Sequence, residues 1–164
     1  MLLLLAAITY LAREGGWLPD ETGQFTAVDG DSLRKHGKDY RLHAIDAPEL
    51  FQTCWREDGR EYPCGHAARD ELRRLVRDAT VTCQVLDTDR YGRSVAECSA
   101  DGVNLNEAMV RSGWAIAYTR HGQDYAAAQD AARAAKRGIW QGRFQTPEAW
   151  RNANRTGLME DGAD

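Results

Sequence analysis

"TVTCQVLDTDRYGRSVAEC", residues 80–98, decides the fold class. Two runs rich in β-branched residues, "TVTCQVL" (80–86) and "RSVAEC" (93–98), flank the turn "DTDRYG". Alternation with a period of two marks a half-buried strand, and a polar turn with a glycine marks a reversal. A β-hairpin is therefore expected. Cys83 and Cys98 lie equally far from its centre, so they should face each other or nearly so.

Upstream, "QFTAV" (24–28) passes through "DGDSLRK" and the turn "HGK" into "DYRLHAI" (39–45), with Gly30 and Gly37 as punctuation. Residues 66–78 read as a helix, because Ala68, Leu72, Leu75 and Val76 form one apolar stripe at helical spacing. Downstream, "NLNEAMVRSG" (104–113) is a short helix. Asn104 and Glu107 stand at the spacing of a capping box, and Gly113 ends it. "WAIAY" (114–118) is a last strand, and a third helix spans about 122–137 and stops at Gly138. "GIW" (138–140) reads as core packing, and "TPEAWRNANR" as a final short helix with Pro147 in its first turn. The class is α+β, and five strands with inserted helices suit a closed or partly closed barrel. No βαβ alternation and no glycine-rich phosphate loop argues for a doubly wound sheet.

The 164 residues suffice for one domain with a core, and 43% hydrophobic with 28% charged residues is ordinary globular composition. Net charge is −4 and the isoelectric point about 5.6, which disfavours a broad basic surface that coats duplex nucleic acid. The charge is uneven. Residues 1–110 hold 13 basic against 19 acidic side chains, and residues 111–155 hold 8 against 3. The tail carries Glu160, Asp161 and Asp164.

Leu2 to Ala12 is almost wholly apolar but too short for a full membrane span of about 20 residues. Either it is a buried element or, as the polar "REGGWLPDETG" after it favours, a targeting segment or anchor. The expected organisation is an apolar segment and linker over 1–23, a domain over 24–142, and a C-terminal helix with acidic tail over 143–164. Cys54, Cys64, Cys83 and Cys98 lack zinc-site spacing. They could be buried thiols, but an even number beside a targeting segment favours Cys54–Cys64 and Cys83–Cys98 bridges outside the cytoplasm.

Several polar residues are strange for their places. Asp29 and Asp31 sit in "VDGDS", Asp46 and Glu49 in "YRLHAIDAPE" (40–49), Arg41 lies mid-strand, and Arg93 closes the hairpin turn. Carboxylates such as Asp31 and Asp46 suit a hard divalent cation, two arginines suit a phosphate, and Glu49 could deprotonate water. These are the parts of a phosphodiester-hydrolysing site. Taken singly, each has a bland reading as a turn or surface residue.

The series "VDGDS…YRLHAIDAPE…DRYGR…LNEAMVRSGWA…GIW" resembles the staphylococcal nuclease (thermonuclease-like) family over about residues 25–140. The resemblance implies a five-stranded OB-type barrel with three helices, to which the short C-terminal helix adds. It implies a calcium-dependent nuclease acting on DNA or RNA, in single-stranded or loosened form, with no organic cofactor. Asp31 and Asp46 match calcium-ligating aspartates, and Ala47 keeps the backbone carbonyl of a ligating threonine. Glu49 matches the residue that activates water, Arg41 and Arg93 match the phosphate-binding arginines, and Asp29 matches an acid near the metal. Tyr91 and Tyr118 match nucleotide-contacting tyrosines, while Arg120 stands where the family has another tyrosine. A local basic patch of Arg41, Arg90, Arg93, Arg111 and Arg120 is expected to hold substrate, and no tryptophan is assigned to it. A non-catalytic binding module on the same barrel is the alternative. The chain is expected to be a monomer, extracytoplasmic, with possible membrane association through its N-terminal segment.

Overall fold

In the computed structural model, residues 20–118 and 124–160 are described. The first strands are β1 (Glu21–Gly23), β2 (Thr26–Ala27), β3 (Ser32–Lys35), β4 (Lys38–Leu42) and β5 (Ile45–Asp46). After β6 (Cys54–Arg56) and β7 (Glu61–Tyr62) comes helix α1 (Cys64–Val76). The hairpin β8 (Val81–Thr88) and β9 (Ser94–Ala100) follows, then β10 (Val103–Asn104), α2 (Leu105–Arg111) and β11 (Ile116–Ala117). Helix α3 (Ala126–Ala134), a 3₁₀ turn (Gly138–Gln141), β12 (Gly142–Arg143) and α4 (Pro147–Glu160) complete the order.

The expected hairpin is the centre of the main sheet, with Cys83 opposite Cys98. Pairing shifts register between Val85 and Asp87, a bulge that leaves Leu86 facing solvent and bends the ribbon. Strands run in the order β1–β8–β9–β4–β3–β2, with β10 also on β9. This path has two ends, so backbone pairing curls the sheet into a half-barrel rather than a closed five-stranded ring. Two small sheets, β11–β5 and β12–β6–β7, lie off it. The sheet begins at Glu21, inside the stretch read as linker.

Both disulfides form as expected, Cys54–Cys64 and Cys83–Cys98. The core gathers Leu33 and Leu42 from the sheet, Leu72 from α1, and Leu105 and Met109 from α2, all essentially without solvent exposure. Each such side chain contributes about 2 kcal/mol of burial free energy. Ile139 belongs to a second small cluster with Cys54, Cys64 and Tyr62, which agrees with the packing role expected of "GIW".

Boundaries depart from expectation where the backbone turns left-handed. Helix α1 starts at Cys64 and stops at Val76, because Arg77 is extended and Asp78 has φ +58°. Helix α3 ends at Ala134, ahead of Lys136 at φ +50°, and residues 122–123 lie outside the described part. Asn104 caps α2 as predicted, accepting from Glu107 N at 2.9 Å. The Glu107 carboxylate does not complete the box; it pairs with Arg111.

The main correction concerns "DYRLHAI". It is not one strand, because Ala44 has φ +58° and separates β4 from β5. Buried Asn106 explains the break. Its Nδ2 donates to His43 O at 3.0 Å and Ala96 O at 3.2 Å, while its Oδ1 accepts from Cys98 N at 3.0 Å. Tyr118 N donates to Ala44 O at 2.8 Å. The chain therefore turns after Leu42, and β5 pairs with β11, Asp46 opposite Ile116.

Candidate active site

That turn folds Asp46 back beside Arg41. In β4, Arg41 pairs with Ser32, the residue after Asp31, and Leu42 N donates to Asp31 O at 2.8 Å. One guanidinium thus reaches both acids: Arg41 Nη1 donates to Asp31 Oδ1 at 2.9 Å and Nη2 to Asp46 Oδ1 at 3.0 Å. Asp31 and Asp46 are 4% and 1% exposed, so two buried carboxylates share one half-buried cation. The remaining Asp31 oxygen accepts Ala47 N at 2.9 Å, and Asp29 Oδ1 accepts Asp31 N at 3.0 Å. Burial pushes the Asp31 carboxyl up to about 7, with Asp29 and Asp46 adding to the rise and Arg41 opposing it. The Asp31 charge, in turn, holds Arg41 above the ordinary arginine value.

Glu49 is placed by a residue that sequence reading passed over. Gln52, 1% exposed, accepts Glu49 N at Oε1 (3.1 Å) and donates Nε2 to Gln145 O at 2.8 Å. Helix α1 presses on the same loop. A Cβ on Gly65 would stand 1.8 Å from Glu49 O, so only glycine lets the helix start there.

Arg93 is set by its own turn. Asp89 Oδ1 accepts Tyr91 N and Arg93 N, both at 2.9 Å, and Oδ2 accepts Arg93 Nε at 2.8 Å. The Arg90 and Arg93 guanidiniums lie 4.8 and 5.6 Å from the exposed Tyr91 ring centre. Asp31, Arg41, Glu49, Arg90, Tyr91 and Arg93 all line one cavity of about 450 Å³, with Asp29 and Ala47 in its wall. An adjoining groove of about 820 Å³ is lined by Asp46, Leu86, Tyr91 and Tyr118.

Two further arginines enter this cavity from α4, Arg151 and Arg155. Arg151 Nη1 donates to Asp46 Oδ1 at 2.9 Å and Glu49 Oε1 at 2.7 Å, and Nη2 to Asp46 Oδ2 at 3.1 Å. Burial works against its charge, but Asp46 and Glu49 outweigh that and keep its pKa above the ordinary value. The C-terminal helix, expected to be short and set beyond the domain over 24–142, thus contributes to the site. The only sequence signal was the i, i+4 spacing of two arginines on one helical face.

The expected basic patch is redrawn accordingly. Arg41, Arg90 and Arg93 line the cavity; Arg111 does not, being exposed on α2 and paired with Glu107. Arg120 lies outside the described residues. The tryptophans are less scattered than their numbering suggests, since Trp55 and Trp140 line a separate cleft with Phe144, Arg133 and Arg143.

The donor set suits a hard cation: the two buried carboxylates, Asp31 and Asp46, lie within one guanidinium's span. Among the described residues no group of three or more His, Cys, Asp or Glu could hold a metal alone. Carbonyls, water or a substrate phosphate would have to complete the shell.

The family described as "Staphylococcal nuclease homologue" matches residues 39–142. A succinoglycan biosynthesis protein, ExoI, of Rhizobium meliloti (strain 1021) is 34% identical over 140 residues, covering 84% of this chain and 73% of its own. An "Uncharacterized endonuclease" of Escherichia coli O157:H7 is 35% identical over 133 residues, covering 76% and 80%. The "Probable staphylococcal-like nuclease CAN1" of Oryza sativa subsp. japonica is 34% identical over 120 residues, 71% of this chain but 33% of that longer protein. With a curled sheet, Asp31, Glu49 and the arginines on one cavity, Asp46 joined to it through Arg41, and these matches over most of its length, the chain belongs to the staphylococcal nuclease family.

Proposed function

We propose that this protein is a calcium-dependent nuclease. It hydrolyses phosphodiester bonds of single-stranded or loosened DNA or RNA with low sequence specificity, breaking the 5′ P–O bond to leave 3′-phosphate ends. The observation that carries this reading is the convergence of Asp31, Arg41, Glu49 and Arg93 on one cavity, with Asp46 joined to it through Arg41. Relatives named as endonucleases support it.

Asp31, Asp46 and the Ala47 carbonyl would hold the cation, with Asp29 orienting Asp31 through its backbone amide. Calcium there would supply Lewis-acid stabilisation of phosphoryl charge. Glu49 accepts a proton from the attacking water. Arg41 and Arg93 donate to the phosphate oxygens, where charge grows in the transition state. Tyr91, Tyr118 and Arg90 line the path of the nucleotide and offer ring faces and a cation, which accounts for weak base preference. The reading extends to an oxidising compartment outside the cytoplasm, which the two disulfides favour.

Digestion of a single-stranded oligonucleotide with calcium and with chelator, followed by end-group analysis, tests the proposal. Cleavage is expected only with calcium, with 3′-phosphate ends. Glu49→Gln and Arg93→Ala should each lower kcat by about 10²–10⁴-fold with unchanged circular dichroism. Full cleavage in chelator sinks the calcium role. Tight binding without product would favour a non-catalytic binding module.

A further inference from the structure

Arg151 lies outside the segment matched to the family, which ends at residue 142. It borders both the carboxylate cavity and the tyrosine-lined groove. Among the described residues only Arg41, Arg90, Tyr91 and Arg93 share that position, so four guanidiniums and one aromatic ring line the junction of the two spaces. A nucleic-acid strand with a base in the groove and its phosphate toward the carboxylates must pass through this ring.

We infer that Arg151 is a third phosphate-binding arginine of this site, carried in by the C-terminal helix, and that it contacts the substrate backbone at the junction. The inference rests on the nuclease reading above and adds a residue to it. Three features point there. First, Arg151 holds Asp46 through both Nη atoms, the forked geometry by which guanidinium also takes two phosphate oxygens. Second, Arg41 donates to the same oxygen, Asp46 Oδ1, so the two guanidiniums converge on one acid at the junction. Third, the Arg151 side chain is 32% exposed against 25% for Arg41, so solvent and substrate can reach it.

The helix is also tied to the catalytic loop. Gln52 joins Glu49 N to Gln145 O, two residues before α4 begins, so the helix bearing Arg151 and the loop bearing Glu49 share one fixed base. Arg155, one turn further, lines the same wall.

The test measures binding of a short single-stranded oligonucleotide to the full chain in a Glu49→Gln background, with calcium fixed and salt varied. Arg151→Ala is expected to weaken binding about 10–100-fold and to make the slope of log affinity against log salt shallower by about 0.7, one lost phosphate contact. Arg151→Lys should retain the slope, since the charge is kept, but recover only part of the affinity, since the fork is lost. If Arg151→Ala does not fold, Arg151→Gln should show the same loss of slope, and the Lys and Gln variants decide the matter. Unchanged slope with equal or tighter binding in the Ala or Gln variant would mean that Arg151 merely neutralises Asp46 and Glu49, and would overturn the inference while leaving the nuclease reading intact. A parent that binds no oligonucleotide removes both.

Discussion

Asn106→Ala should be strongly destabilising, and its size can be worked from three hydrogen bonds. Asn106 is fully buried and serves Cys98 N, His43 O and Ala96 O. Truncation leaves Ala96 O satisfied, because His43 N still donates to it at 2.8 Å. Cys98 N loses its Asn106 acceptor, and His43 O loses the Asn106 donor. At about 1–3 kcal/mol for the Cys98 amide left unsatisfied and about 1 kcal/mol for the lost bond to His43 O, the loss is about 3 kcal/mol. That is a large share of the roughly 5–15 kcal/mol that holds a domain together, and at about 3 °C per kcal/mol it lowers Tm by about 9 °C. Urea unfolding with the disulfides intact, followed by tryptophan fluorescence, measures it. A second variant isolates the donor. Asn106→Asp keeps an acceptor for Cys98 N but faces a carboxylate toward two carbonyl oxygens. Its native pKa must therefore rise, and its deficit against wild type should grow as pH climbs above about 4, the unfolded value. A loss below 1 kcal/mol for Asn106→Ala, or a pH-independent deficit for Asn106→Asp between pH 4 and 8, would refute the claim that this side chain fixes the break between β4 and β5.

Three other outcomes follow from particular contacts. Gly65→Ala pushes a methyl group into Glu49 O and Leu50 O, so unfolding free energy should fall by about 3 kcal/mol and kcat with it; a variant with wild-type rate and Tm would show that the loop yields freely. Replacing Cys83 and Cys98 together by Ala opens a bridge of sequence separation 15 and should lower stability by about 3 kcal/mol in urea melts, and a change under 1 kcal/mol would count against it. Burial opposes the Asp89 charge, but Arg93 and the Tyr91 amide outweigh it, holding the carboxyl below the ordinary aspartate value. Its contribution should be whole above about pH 4 and vanish as pH falls through the lower native value, so Asp89→Asn should flatten the acid limb of stability; superimposable acid limbs would exclude it.

What could be read from the sequence was local. The hairpin over 80–98 announced itself because alternation and turn chemistry agree within 19 residues, and Cys83 opposite Cys98 followed from that symmetry alone. The Asn104 cap is likewise local, reaching Glu107 three residues on. The parts that escaped are set by partners far along the chain. Nothing near Ala44 asks for a left-handed residue; the demand comes from Asn106 and Tyr118, on elements that close over it. Gln52 looks like any loop glutamine until Gln145, 93 residues later, comes to meet it. Arg151 sits in a polar run that reads as a solvated helix face, and its carboxylate partners are 105 and 102 residues away.

These distant pairings resolve the oddity of an acidic chain with a polyanionic substrate. Net charge describes the whole surface, whereas binding depends on what faces one cavity. There, five guanidiniums, Arg41, Arg90, Arg93, Arg151 and Arg155, meet the carboxylates Asp29, Asp31 and Glu49, with Asp46 gripped by two of the arginines. Arg41, Arg93 and Arg151 are each held in place by an acid, so these three are ordered before substrate arrives and little of their side-chain entropy remains to be lost on binding. The cost is competition: a phosphate must draw Arg41 away from Asp31 and Asp46. Whatever neutralises those two acids therefore raises affinity for phosphate at the same site. With calcium bound as proposed, cation and substrate binding would be linked through shared arginines, and by thermodynamic reciprocity an oligonucleotide would raise the affinity for calcium by the same factor that calcium raises affinity for the oligonucleotide. Calorimetric titration of calcium into the Glu49→Gln protein, with and without oligonucleotide, should show that equal factor; independent binding of the two would mean that the arginines are not shared.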